Sequence, residues 1–143
     1  MTEIRPVCME DAAFWFSLDA HLSQAGFAQK VRDGQGYVAL RDGQPAGLLR
    51  YNLFWDTIPF CTLLYIHPDR RGRGLGRALM AYWEQDMESR GYDLALTSTQ
   101  ADEAAQHFYR RLGYRDCGGL LLDAPGYRQP TELFLLKTLT SKK

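Results

Sequence analysis

Charge of one sign is what this sequence most lacks: 17 Lys and Arg stand against 17 Asp and Glu, a formal net charge of zero. The two signs interleave along most of the chain and leave no broad basic field to hold a phosphate backbone, so nucleic acid is not an expected partner. Cysteine is scarce. The three present, Cys8, Cys61 and Cys117, are odd in number and have neither metal-ligand nor redox spacing. They are read as reduced structural thiols, and no metal is expected. Long apolar runs are missing, and the opening Met-Thr-Glu-Ile-Arg-Pro lacks the charged-then-apolar order of a leader. The expectation is a cytoplasmic protein with no membrane partner. Internal repeats and low-complexity tracts are absent too.

What is present is enough for one core. The 143 residues, 45% hydrophobic and 13% aromatic, predict a single domain over 1–140 with a frayed tail at 141–143. Ile4 to Val7 reads as a strand, and Glu10 and Asp11 open a helix through Leu18, their charge suiting its first turn. A weaker helix follows around Ala20 to Arg32, interrupted by Gly26. Gly36 to Leu40 and Ala46 to Trp55 read as antiparallel strands joined through Asp42-Gly43. Phe60 to Ile66, almost without polar residues, is expected to be a strand buried on both faces. From Leu75, the apolar positions Ala78, Leu79, Tyr82, Trp83 and Met87 keep helical spacing until Gly91. A strand over Asp93 to Thr99, a helix over Ala101 to Leu112 and two last strands, Tyr114 to Leu122 and Thr131 to Leu139, complete a mixed α/β layer.

The chemistry concentrates where the strand ending at Ile66 runs into Arg71-Gly72-Arg73-Gly74-Leu75-Gly76 and then a helix. Unpaired N–H groups at the positive end of the helix dipole bind anions. Glycines let several N–H groups converge on phosphate oxygens, and Arg73 or Arg77 adds charge from the flank. The Walker-type loop is excluded because Gly76 is followed by Arg77-Ala78 instead of Lys-Ser or Lys-Thr. The dinucleotide fingerprint is excluded by register, since it would require glycine at 77.

The run Leu63-Leu-Tyr-Ile-His-Pro-Asp-Arg-Arg-Gly-Arg-Gly-Leu-Gly-Arg-Ala-Leu resembles motif A of the GNAT acetyltransferase superfamily, its core falling on Arg71, Gly74 and Gly76. Gln106-His-Phe-Tyr-Arg-Arg-Leu-Gly-Tyr-Arg is similar to motif B, in the right order and at the right distance. The resemblance implies a mixed, mostly antiparallel sheet splayed at its centre and flanked by helices, with acetyl-CoA as the cofactor. It implies cofactor contacts at Leu64, Tyr65, Ile66, Arg71, Gly72, Arg73, Gly74, Leu75, Gly76, Arg77 and Ala105, with the pantetheine arm added along the strand near Leu64 to Ile66. Asp102 stands where the family often has Asn, a departure from the pattern at a pantetheine contact.

Acyl transfer to an amine requires a free base form of the amine, donors for the acyl oxygen and a proton for the leaving thiolate. An amine with pKa of about 10.4 needs a base in its path. Asp56, in the turn beside Trp55, is the candidate base; the alternatives are His67, a strand-end residue, and Glu84, on the polar helix face. Backbone N–H near Ile66 is the family-like donor for the acyl oxygen. The resemblance puts Tyr109 beside the sulfur as its proton donor. Asn52, Phe54, Trp55 and Tyr65 are candidate acceptor-site residues. The expected acceptor is a small-molecule primary amine, with a non-catalytic acyl-CoA sensor as the alternative and pairing of two copies across a sheet edge as a further expectation.

Overall fold

The computed structural model describes residues 1–139, so the expected tail lies outside the described residues. In chain order the elements are β1 (Thr2–Pro6), a 3-10 turn (Met9–Asp11), α1 (Ala12–Leu18), α2 (Gln24–Asp33), β2 (Gly36–Arg41), β3 (Gln44–Phe54), β4 (Ile58–Ile66), a second 3-10 turn (Pro68–Arg70), α3 (Leu75–Ser89), β5 (Leu94–Gln100), α4 (Ala105–Arg111), β6 (Arg115–Leu120) and β7 (Glu132–Thr138). The strands form one seven-stranded sheet in the order β1-β2-β3-β4-β5-β7-β6. Strands β1–β2, β2–β3, β5–β7 and β6–β7 pair antiparallel, while β4 and β5 pair parallel through Phe60↔Leu96 and Cys61↔Thr97. A parallel pair needs a long crossover, and α3 supplies it. This is the α/β fold the sequence pattern called for. The chain divides into two compact units, Met1–Asn52 with Thr62–Asp86, and Leu53–Cys61 with the residues from Met87 onward.

In the first unit, period two along β2 and β3 sends alternate side chains to two packed faces. Val38 and Leu48 meet Val7, Trp15 and Phe27, all buried, with Leu63 and Tyr65 packed against them. Burying each large side chain here is worth about 1.5–3 kcal/mol. Tyr37 and Tyr51 face the other way onto α3: the Tyr51 ring lies 5.9 Å from Trp83, and the Tyr37 hydroxyl donates to Asp86. The loop after α1 is fixed by a buried carboxylate. Asp19 accepts from Arg50 Nε at 2.8 Å, Trp15 Nε1 at 3.0 Å and the His21 N–H at 3.1 Å.

In the second unit, β7 is the central strand between β5 and β6, with Leu135 and Ala95 fully buried. Phe60 stacks 5.8 Å from Phe134, and the Arg110 guanidinium binds both Asp116 oxygens at 3.0 Å.

Three elements differ from the sequence reading. The helix placed around Ala20 begins later, at Gln24, because the Ser23 side chain caps it, accepting from the Gly26 N–H at 3.0 Å. Gly26 therefore sits in the first turn and interrupts nothing; a Cβ there would fall 2.7 Å from Leu22 Cδ1, so a larger residue would crowd the entry. Helix α4 begins at Ala105, four residues after the expected start, because Glu103 turns its carboxylate back to Thr99 Oγ1 at 3.0 Å and to the Gln100 N–H at 3.1 Å. The strand expected to be buried on both faces is mostly half-buried, with only Pro59 and Cys61 buried and Thr62 exposed. An apolar run does not by itself say how many faces are covered.

Candidate active site

The glycine-rich loop belongs to the first unit. Strand β4 ends at Ile66, and His67 caps the following turn, its Nδ1 accepting from the Asp69 N–H at 3.1 Å. That bond occupies the ring nitrogen and gives His67 a structural task. Arg71 folds back along the strand: its Nε donates to the Ile66 carbonyl at 2.9 Å, and its guanidinium lies 5.0 Å over the Tyr65 ring. The loop is thereby tied at its start to Tyr65 and Ile66.

Gly72 and Gly74 both have φ of +80°, and a Cβ added to either would meet nothing within 4 Å. The backbone there is left-handed and open on its outer side, a shape that side chains would strain and fill. Helix α3 then starts at Leu75, and the Ala78 N–H donates to the Gly74 carbonyl at 3.0 Å as the first full helical turn closes. The N–H groups of Leu75, Gly76 and Arg77 precede that turn and have no acceptor within the helix. Leu75 is buried at 2% exposure and anchors the helix by its side chain, while Gly72, Arg73, Gly74 and Arg77 are exposed. Backbone donors, the positive end of a 15-residue helix and flanking arginines form a donor set suited to a diphosphate.

Tyr109 belongs to the second unit. It lies on α4 and is only 6% exposed. Thr97, 1% exposed, donates to the Cys61 carbonyl of β4 at 3.3 Å. Burial pushes the Tyr109 phenol well above the ordinary tyrosine range; Cys61 and Glu103 push the same way, and Thr97 opposes them. Tyr109 is thus a protonated donor at any physiological pH. Asp102 is exposed in the turn before α4, and Ala105 opens that helix half-buried. Sequence reasoning passed over Thr97. Its signal was available only as one of two threonines, Thr97 and Thr99, at alternate buried positions of β5.

The remaining candidates sit around the β3–β4 turn. Asn52 is exposed on β3 and bonded through its side chain to Thr62 Oγ1. Phe54 lies 4.8 Å from Trp55 and 6.4 Å from Phe60. Trp55 and Asp56 form the turn itself, with φ of 56° and 64°, and Trp55 is 76% exposed. Two successive left-handed residues define a tight hairpin ordinarily made by Asn-Gly or Asp-Gly. Tryptophan is rarely found in that conformation, and no local pattern marks the turn as left-handed. Leu64 and Tyr65 are half-buried on β4, and Glu84 is half-buried on α3.

A family model described as the acetyltransferase (GNAT) family matches residues 2–114. No curated protein matches the chain. Among solved structures, the fold is similar to that of the ribosomal-protein-S18-alanine N-acetyltransferase of Escherichia coli, at 18% identity, TM-score 0.82, over 100% of this chain and 97% of that one. It is similar to the ribosomal-protein-alanine N-acetyltransferase of Brucella melitensis at 23% identity and TM-score 0.82, over 96% of this chain and 99% of that one. It also resembles nourseothricin acetyltransferase at 21% identity and TM-score 0.77, covering 97% and 99% of the two chains. At these identities the likeness is one of fold.

Proposed function

The chain belongs to the GNAT acetyltransferase family, a family of acyl-CoA-dependent acetyl transfer, and we propose that it is an N-acetyltransferase acting from acetyl-CoA on a primary amine of a small molecule. The observation that carries this is the pair of left-handed glycines, Gly72 and Gly74, opening the start of α3 on their outer side. We read residues 1–140 as one transferase domain, since the family match runs through both compact units.

Bound acetyl-CoA would supply the activated acyl carbon and the leaving thiol. Residues 71–77 would hold its diphosphate through backbone N–H groups, with Arg73 and Arg77 adding charge. Leu64 to Ile66 would pair with the pantetheine arm, and Asp102 and Ala105 would border it. N–H groups near Ile66 would donate to the acyl oxygen. Asp56 is assigned to take the ammonium proton, directly or through water, and Tyr109 to return a proton to the sulfur. Asn52, Phe54, Trp55 and Tyr65 are assigned to the acceptor.

Solved neighbours are named for acetylating a ribosomal protein or nourseothricin, so the fold alone does not choose between protein and small-molecule acceptors. Zero net charge offers no field for a highly charged acceptor and favours a small amine. The test is thiol release from acetyl-CoA across amino acids, polyamines, aminoglycosides and short peptides, with calorimetric titration of CoA alongside. Turnover on a small amine supports the proposal, and turnover on peptides alone replaces its acceptor. Tight CoA binding without turnover on any of them would make the protein an acyl-CoA sensor. No CoA binding overturns both.

A further inference from the structure

We infer that Arg71 is a positioning residue of the diphosphate loop: its side chain ties the first residue of the loop to the end of β4 by a hydrogen bond, and cofactor binding depends on that tie more than on the charge. The inference rests on the reading of residues 71–77 as the diphosphate site. It begins with the direction of one carbonyl. The Ile66 carbonyl and the His67 N–H belong to one trans peptide unit, in which the two point opposite ways. The His67 N–H donates to the Ala46 carbonyl of β3 at 2.8 Å, so the Ile66 carbonyl points away from β3. Arg71 Nε meets it there at 2.9 Å, and the guanidinium lies 5.0 Å over the ring of Tyr65.

The main chain alone holds Arg71 poorly. Its N–H reaches the Pro68 carbonyl at 3.5 Å, the far limit of a hydrogen bond, whereas the Arg70 N–H reaches the His67 carbonyl at 2.8 Å. After Arg71 come Gly72, Arg73 and Gly74, all exposed, before Leu75 takes hold through its buried side chain. Glycine has the most backbone freedom to lose, and at both glycines the place of a Cβ has nothing within 4 Å. The N–H groups that must converge on a diphosphate therefore hang between two anchors, the Leu75 side chain downstream and the Arg71 side chain upstream. Holding them in place before the ligand arrives lowers the ordering cost of binding.

A rival role is open to the same residue. A guanidinium has several N–H donors and a permanent charge, and only Nε is engaged with Ile66, so the terminal donors and the charge are available to a phosphate. Side-chain chemistry separates the two roles at a single atom. The donor that meets Ile66 sits at the ε position. Glutamine carries an amide N–H at that position without the charge, while lysine has a methylene there and carries its charge one bond further out.

The experiment measures CoA binding by calorimetry for Arg71→Gln, Arg71→Lys and Arg71→Met in the full chain. Beside it, heteronuclear NMR follows exchange of the Arg71 Nε–H with water in the free parent, the signal being assigned by its loss in Arg71→Gln. Arg71 is exposed, so none of these changes opens the core, and circular dichroism checks that the fold is kept. Arg71→Lys and Arg71→Met are each expected to raise the dissociation constant about tenfold, and Arg71→Gln to raise it no more than about threefold. In the free chain the Arg71 Nε–H is expected to exchange about tenfold more slowly than that of the exposed Arg73. Lysine matching or exceeding glutamine, or glutamine no better than methionine, overturns the inference, as does an Arg71 Nε–H that exchanges as fast as that of Arg73. A parent that binds no CoA removes the transferase reading, and the exchange comparison still decides whether the side chain ties the loop, so each can fail without the other.

Discussion

A phenol kept protonated by burial is a reliable hydrogen-bond donor and a reluctant acid, and Tyr109 is both. In the proposed reaction its contribution would be to meet negative charge as it appears on sulfur, a role in which general acids typically supply about 10²–10⁴-fold in rate. Tyr109→Phe keeps the ring packed against Tyr114 and removes only that proton. The expected result is a kcat lower by about 10²-fold with CoA affinity nearly unchanged, read by steady-state kinetics and calorimetry together; turnover within twofold of the parent would take Tyr109 out of the chemistry. The β3–β4 turn makes the opposite kind of case. Trp55 and Asp56 hold left-handed backbone angles that cost roughly 1–2 kcal/mol each for residues with a Cβ. A double change, Trp55→Asn with Asp56→Gly, is expected to raise the urea midpoint by an amount equivalent to about 1–2 kcal/mol. If Trp55 also serves the acceptor, the acceptor KM rises in the same variant, and stability and function part company. A gain in stability with KM unmoved would leave Trp55 without a place in the acceptor site.

At the scale of elements, the proposed diphosphate site in the loop from Ile66 to Leu75 depends on conformation as well as on composition. Alanine at Gly74 would collide with nothing, yet it would sit at φ of +80°. The loop is expected to relax toward negative φ and carry its N–H groups out of convergence. Gly74→Ala should therefore raise the CoA dissociation constant at least about tenfold while circular dichroism stays unchanged and stability falls by only about 1 kcal/mol. An unaltered dissociation constant would mean that the diphosphate is held elsewhere. Much of this was legible in the residues. The strand, Gly-x-Gly and helix order marked the loop, Asp42-Gly43 marked a hairpin that indeed has both residues at positive φ, and helical spacing marked α3. The Ser23 cap of α2 and the Glu103 bonds that delay α4 reach only three or four residues, but nothing in the spacing singles out that serine or that glutamate. That an apolar β4 is only half covered depends on tertiary partners. The Thr97 bond to Cys61 joins residues 36 positions apart and is invisible to any local pattern.

For the molecule as a whole, the balance of charge sets its behaviour in acid. At neutral pH the opposite charges cancel, and acidification removes the negative half, leaving 17 Lys and Arg to repel one another. Two carboxylates of the first unit make this specific. The Arg5 guanidinium, 2.8 Å from Asp11, brings that carboxyl below its usual range, helped by the Cys8 N–H and opposed by burial. For Asp19, burial is the largest influence and pushes upward, but Arg50, the His21 N–H and Trp15 together outweigh it and the net shift is downward. Both folded-state values lie below the unfolded ones, so each contribution is complete above the unfolded carboxylate pKa of about 3.9 and is lost as pH falls through the folded value. The exposed pair Arg110–Asp116 adds little to this. Urea unfolding is expected to give a plateau from about pH 5 to 7 and a steep fall below about pH 4. Asp19→Asn leaves Arg50, 11% exposed in its side chain, without its charge partner, and should cost about 3–5 kcal/mol at pH 7 while flattening the acid limb. If the variant and the parent lose stability in parallel between pH 5 and 3, general repulsion dominates acid unfolding and the buried Asp19 pair does not.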